Sequence, residues 1–144
     1  MGRHVPMRRT AAPFAGWLAV CFAAFAMACS SFQGPAPLQT WPDVKKSPQV
    51  VALDKASWEL VAIKSIARDV NAAGNLHIRV ELANLSNKDL PVQLQTLFRD
   101  ENGVPVGEDT PFEIRVMPGG ASVLYEVTAM GTTARRFTVQ VKTP

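Results

Sequence analysis

From Leu76 onward apolar and polar side chains alternate along the chain, with Leu76, Ile78, Val80 and Leu82 on one face and His77, Arg79 and Glu81 on the other. A period of two marks a strand with one face buried. The loop "NLSNKD" follows, and Pro91 to Arg99 repeats the alternation with Val92, Leu94, Thr96 and Phe98 inward. Asp100-Glu101-Asn102-Gly103 then closes the strand with an Asn-Gly pair, which supplies the positive φ angles of a tight hairpin turn. Val104 to Val106 reads as a short return strand, and Phe112, Ile114 and Val116 make the next. After the turn Met117-Pro118-Gly119-Gly120, Val123, Tyr125 and Val127 form a further strand. Phe137, Val139 and Val141 form the last, with Arg136, Thr138, Gln140 and Lys142 facing out. Six short strands punctuated by turns predict an antiparallel sandwich.

Upstream the pattern is less decisive. Leu60, Ile63, Ala67 and Val70 fit a helical face, with Asp54 or Ser57 as its cap, whereas the turn Asn71 to Asn75 favours Ala62 to Val70 as the hairpin partner of the strand at Leu76. The second half of this segment is read as strand, and residues 50–62 fit helix or strand.

The N-terminus has a different character. Residues 1–10 carry Arg3, Arg8 and Arg9 with no acid, and Ala11 to Ala28 carry no charge, the n-region and h-region of a signal peptide. Ala26 and Ala28 bracket Met27 in an A-x-A arrangement, which places cleavage between Ala28 and Cys29. The segment is similar to a bacterial lipobox, in which the cysteine sulfur receives diacylglycerol, with Ala26 standing where Leu, Val or Ile is usual. An ordinary secretory peptidase would accept the same A-x-A, so a lipid-anchored chain is the expectation and a soluble periplasmic one the alternative. Retention of residues 11–28 as a membrane span is disfavoured by their many alanines and by Pro13 and Gly16. From Ser30 to Pro48 four prolines and a glycine without apolar period read as a linker. Fully extended, it would reach roughly 60 Å from the lipid. The expected organisation is therefore a signal peptide over 1–28, a lipidated Cys29 with a flexible linker over 29–48, and one domain over 49–144.

Charge and cysteine content narrow the function classes. Arg3, Arg8 and Arg9 account for the net charge of +3, so the processed chain is neutral and carries no basic stripe for nucleic acid. Cys21 falls in the h-region and Cys29 is the lipidation site, which leaves the domain without a thiol for a disulfide or a nucleophile. His77 is the one histidine after the signal, and no serine lies in a G-x-S-x-G setting, so the chain is read as non-catalytic. Asp100, Glu101, Glu108 and Asp109 flank one hairpin, but their spacing matches no calcium loop, and no metal or other cofactor is expected. Arg135 and Arg136 precede the last strand and are read as solvated.

The run from Leu76 to Lys142 resembles the YcfL-type family of small periplasmic lipoproteins. The likeness lies in Asn84 at the end of its strand, Phe98 before the D-x-x-G turn of Asp100 and Gly103, Pro118-Gly119 at the next turn, and Ala129 with Phe137 at the closing strand. Phe112 falls where the family often has Trp, and Arg99 replaces a second aromatic beside the turn. The resemblance implies an all-β chain, an immunoglobulin-like antiparallel β-sandwich of about seven strands on a lipid anchor. The expected function is a non-catalytic interaction module at the periplasmic face of the outer membrane, facing a cell-envelope protein partner. Ser30 after Cys29, rather than Asp, favours that membrane. The alternative is a small-ligand or glycan-binding lipoprotein using an inter-sheet cleft or aromatics such as Trp58 and Tyr125. No oligomeric state follows from the pattern.

Overall fold

The computed structural model describes residues 34–40 and 48–144. Cys29, Ala28 and Trp41 lie outside the described residues, as does the expected signal peptide. The chain runs through β1 (Ala36–Pro37), β2 (Gln39–Thr40), β3 (Val50–Ala52), a short helix α1 (Lys55–Leu60), β4 (Val61–Val70), β5 (Leu76–Asn84), β6 (Leu90–Arg99), β7 (Glu113–Met117), β8 (Ser122–Thr128) and β9 (Arg136–Lys142). Two sheets form, one in the order β1-β3-β9-β6-β7 and the other in the order β2-β4-β5-β8. The domain is thus all-β apart from α1 and has two sheets.

Alternation in the sequence becomes burial where the two sheets face each other. Leu76, Ile78, Val80 and Leu82 of β5 are buried, as are Val92, Leu94, Thr96 and Phe98 of β6 and Phe137, Val139 and Val141 of β9. Each such aliphatic or aromatic side chain contributes on the order of 1.5–3 kcal/mol on burial, and the described domain, which contains no cysteine, rests on that packing. The core holds a polar link between the sheets: the hydroxyls of Thr96 on β6 and Tyr125 on β8 lie 3.0 Å apart, which hydrogen-bonds one sheet to the other.

The ambiguous segment resolves into both elements. A six-residue helix is too short to persist by itself, and α1 is held from outside. Asp54 caps it by accepting the Ser57 N–H at 2.8 Å, and its other oxygen accepts the N–H of Thr143 at 2.7 Å. The Ser57 hydroxyl donates to the carbonyl of Val141. The helix is therefore tied to the end of β9 from inside the β3–β4 connection. The chain then continues as β4, antiparallel to β5 with a register shift between Ile63 and Ser65.

Four expectations are corrected. The sandwich is not wholly antiparallel, because β2 pairs with β4 and β3 with β9 in parallel. Such pairs join segments remote in sequence or linked by a crossover, which no local period reveals. The strand count is nine rather than about seven among the described residues, because part of the proline-rich stretch expected as linker forms β1 and β2 and Val50–Ala52 forms β3, while one expected strand is absent. Val104 to Val106 is no strand, and only a single bridge joins Arg99 to Pro105. At the Asn-Gly turn only Gly103 takes positive φ, at 85°, and among the described residues no non-glycine residue does so. The Asp100 carboxylate closes that turn by accepting the N–H groups of Asn102 and Val104.

The Asn84 side chain organises the end of the sandwich where β5 and β7 finish. It is buried, and its Nδ2 donates to the carbonyls of Lys88 at 2.7 Å, Met117 at 2.9 Å and Pro118 at 3.2 Å. Its Oδ1 accepts the N–H and hydroxyl of Ser86. One amide thus clamps the β5–β6 loop to the β7–β8 turn. Gly119 sits so close to that loop that a Cβ would lie 2.5 Å from the backbone of Asn87.

Candidate functional site

The residues weighed as chemical candidates separate into structural roles. Nδ1 of His77 lies 3.1 Å from the Asp69 carboxylate on the outer face of the second sheet, and Arg79 stands 3.9 Å from the other oxygen of that group. The four acids of the β6–β7 hairpin do not converge. Asp100 holds its own turn, Asp109 accepts the N–H of Phe98 at 3.2 Å, and Glu108 accepts those of Met130 and Gly131 at 2.8 and 3.0 Å. Among the described residues no three His, Cys, Asp or Glu side chains form a group that could hold a metal ion. Tyr125 is buried and offers no open stacking surface for a sugar, and Trp58 is partly buried against the core.

On the outer face of β5, Glu81 accepts from the Ser122 hydroxyl at 2.7 Å and pairs with Lys64 at 3.0 Å. The Ser122 bond foremost, then Lys64, holds its carboxyl below the ordinary carboxylate value. Every acceptor in this cluster is matched by a donor from a neighbouring strand, the pattern of a sheet-bracing network rather than of a group poised to react.

Two surfaces remain. The first is a cleft of about 440 Å³ at one end of the sandwich, lined by Arg68, Asp69, Val70, Leu76, Glu101, Arg135 and Arg136. Its arginines give it a cationic bias, although Arg135 is already donating to the carbonyls of Thr132 and Ala134. The second is the side of the sandwich where both sheets end, β7 in one and β8 in the other. A hollow of about 230 Å³ lies there, lined by Thr110, Phe112, Glu113, Tyr125, Glu126 and Val127 among others.

Along this open side apolar residues face solvent: Ile114 is 63% exposed, Val116 57% and Leu124 54%. The pairing explains the exposure. Glu113 and Arg115 stand opposite Leu94 and Val92 and share their core-side face, whereas Ile114 and Val116 stand opposite Gln93 and Pro91 on the outer face. Only Met117 on β7 is buried, so the strand extends past the cover of the second sheet. Arg115 and Glu113 pair with each other at 2.6 Å, and Lys142 sits 4.0 Å above the ring of Phe112.

This two-sheet architecture recurs in two small bacterial proteins. The Campylobacter jejuni protein cj0090 has a crystal structure that aligns with a TM-score of 0.55 at 19% identity, over 68% of this chain and 100% of that one. A DUF1425 family member from Shewanella sp. pv-4 aligns with the same TM-score at 22% identity, over 70% of this chain and 94% of that one. At these identities the likeness is one of fold. No protein-family model matches the chain, and no curated protein matches it.

Alternation in the sequence places Ile114 and Val116 on a strand, but it does not show that their face is uncovered. The available signal was the charge of Glu113 and Arg115 at the alternate positions that Met117 continues, since two charges on the core-side face mark a strand at an edge.

Proposed function

We propose that the chain is a bacterial cell-envelope lipoprotein of the YcfL type, in which an immunoglobulin-like sandwich acts as a non-catalytic interaction module. Its lipid, carried on Cys29, holds the domain at the periplasmic face of the outer membrane. The observation that carries the module reading is the open side of the sandwich. Exposed Ile114, Val116 and Leu124 lie on the two terminal strands, while Asp100, Glu108, Asp109 and His77 are engaged by backbone or neighbouring side chains. Exposed apolar side chains on an unpaired edge strand are the usual basis of strand addition and protein docking. Among the described residues no helix is long and apolar enough to cross a membrane, and on this reading attachment falls to the N-terminal lipid.

The test is a photo-crosslinking scan in cells. A benzophenone amino acid is placed at Ile114, Val116 or Leu124, or at Thr138 on β9, two strands inward from the β7 edge. Protein adducts at the first three positions and none at Thr138 are expected. Adducts at no edge position would refute the module reading. The arginine-bearing cleft supports a second reading, a small anionic ligand or glycan bound at the loop end, since its volume falls in the range of ligand sites. A rise in melting temperature with anionic saccharides, lost in Arg68→Ala and Arg136→Ala, would favour that reading.

A further inference from the structure

β7 pairs among the described residues with β6 alone, and its other edge faces the open side of the sandwich. An uncovered edge invites another strand, and the sequence of this one, Phe112-Glu113-Ile114-Arg115-Val116, is complementary to its own reverse. We propose that a second copy of this chain is the partner, joined through an antiparallel β7–β7 pair whose two-fold axis passes between the two Ile114 residues. The proposal rests on the reading of this edge as the interaction surface and deepens it by naming the occupant.

The register follows from side-chain alternation. Residues directly opposite in an antiparallel pair share a face, so a two-fold axis must pass through a residue paired with itself. A centre at Glu113 sets carboxylate against carboxylate, and a centre at Arg115 sets guanidinium against guanidinium. A centre at Phe112 sets Glu113 opposite Pro111 and reaches an Arg115–Asp109 pair only beyond that proline, and a centre at Val116 sets Arg115 opposite Met117 and carries the ladder onto Pro118. Only the centre at Ile114 sets Glu113 opposite Arg115 of the partner subunit, twice by symmetry, on the core-side face where neither is buried in the monomer. On the outer face it sets Phe112 opposite Val116 of the partner subunit, again twice, around an Ile114 pair. Three side chains exposed by 36 to 63% would gain apolar neighbours, and opposite charges directly across strands stabilise where like charges destabilise. The contact is isologous and closes on itself, so it yields a dimer and not a fibre. Pro111 and Pro118 bound the ladder, since neither has an N–H to extend it.

The full chain, extracted from membranes in density-matched detergent, is compared by sedimentation with Glu113→Arg, Arg115→Glu and the double exchange. The wild type should be dimeric. Each single reversal, which makes both cross-strand pairs like-charged, should raise the dissociation constant about tenfold or more. The double exchange restores opposite charges and should return dimerisation, which a folding defect would not do, and Leu124→Arg on β8 should leave it unchanged. A monomeric wild type, single reversals that still dimerise, or a double exchange that fails to recover would each overturn the proposal. Benzophenone at Ile114 separates this from the broader reading. An adduct of twice the chain mass supports self-pairing. Adducts only to another protein overturn it while leaving the module reading intact, and no adduct at any edge position overturns both.

Discussion

Replacing Asn84 should unfasten the end of the sandwich. Its Nδ2 serves three carbonyls, of which the bond to Met117 is buried and those to Lys88 and Pro118 are partly buried. In Asn84→Ala the Met117 carbonyl is stranded away from water, a penalty of about 1–3 kcal/mol, and the two other bonds are worth roughly 0.5–1 kcal/mol each after water replaces them. The expected loss is therefore about 2–5 kcal/mol, which at about 5 °C per kcal/mol lowers the Tm of a domain this size by roughly 10–25 °C. Asn84→Asp separates hydrogen bonding from shape. It retains the acceptor for Ser86 but turns a carboxylate oxygen toward three carbonyls, so its folded pKa should rise above the unfolded value of about 3.9. The sign follows from linkage: a raised folded pKa means that the destabilisation is greatest above that pKa and diminishes as pH falls through it. Urea unfolding of wild type and both variants at pH 7 and pH 4 measures this. The reasoning is refuted if Asn84→Ala lies within about 0.5 kcal/mol of wild type, or if the gap between Asn84→Asp and wild type is the same at both pH values.

Further outcomes follow from the core and from the helix cap. Tyr125→Phe should destabilise by about 1–2 kcal/mol because it strands the Thr96 hydroxyl, whereas Tyr125→Phe with Thr96→Val should recover most of that loss; denaturant unfolding of the double-mutant cycle checks both. Asp54→Ala should destabilise by about 0.5–2 kcal/mol through the lost cap. Burial opposes ionisation of Asp54, but hydrogen bonds from Ser57 and Thr143 together outweigh it and hold its carboxyl below the ordinary value of 3.8. Because the folded pKa is depressed, the ion-dependent part of this difference is present above 3.8 and shrinks as pH falls through the lower folded value, which melting curves between pH 2.5 and 7 should show.

The parts of the fold that the sequence announced are those in which each residue meets its neighbours locally. β5, β6 and β9 have one face buried along most of their length, so alternation maps directly onto burial. Asp54 is a cap because a cap acts within one helical turn. The two-residue strands β1 and β2 gave no such signal, since a period cannot be seen in two residues and prolines dominate their surroundings. The parallel docking of β3 beside β9 depends on a contact across almost the whole domain. β7 shows the limit most clearly. Its alternation gave the strand and the two faces, but which face is covered depends on how far the opposing sheet extends. The candidate surface was therefore legible as a strand and not as a surface. Tyr125, weighed as a sugar platform because of its chemistry, turned out to be occupied by Thr96 from the other sheet, a pairing that no spacing reveals.

Anchoring of the domain at the envelope by a lipid on Cys29, as proposed, is read from the intact mass and membrane fractionation of the wild type against Cys29→Ala. A lipid-anchored wild type begins at Cys29, carries the added mass of its acyl chains and sediments with the outer membrane, and the variant is unlipidated and absent from that fraction. Equal masses after allowance for the substitution, with both proteins soluble in the periplasm, would contradict it.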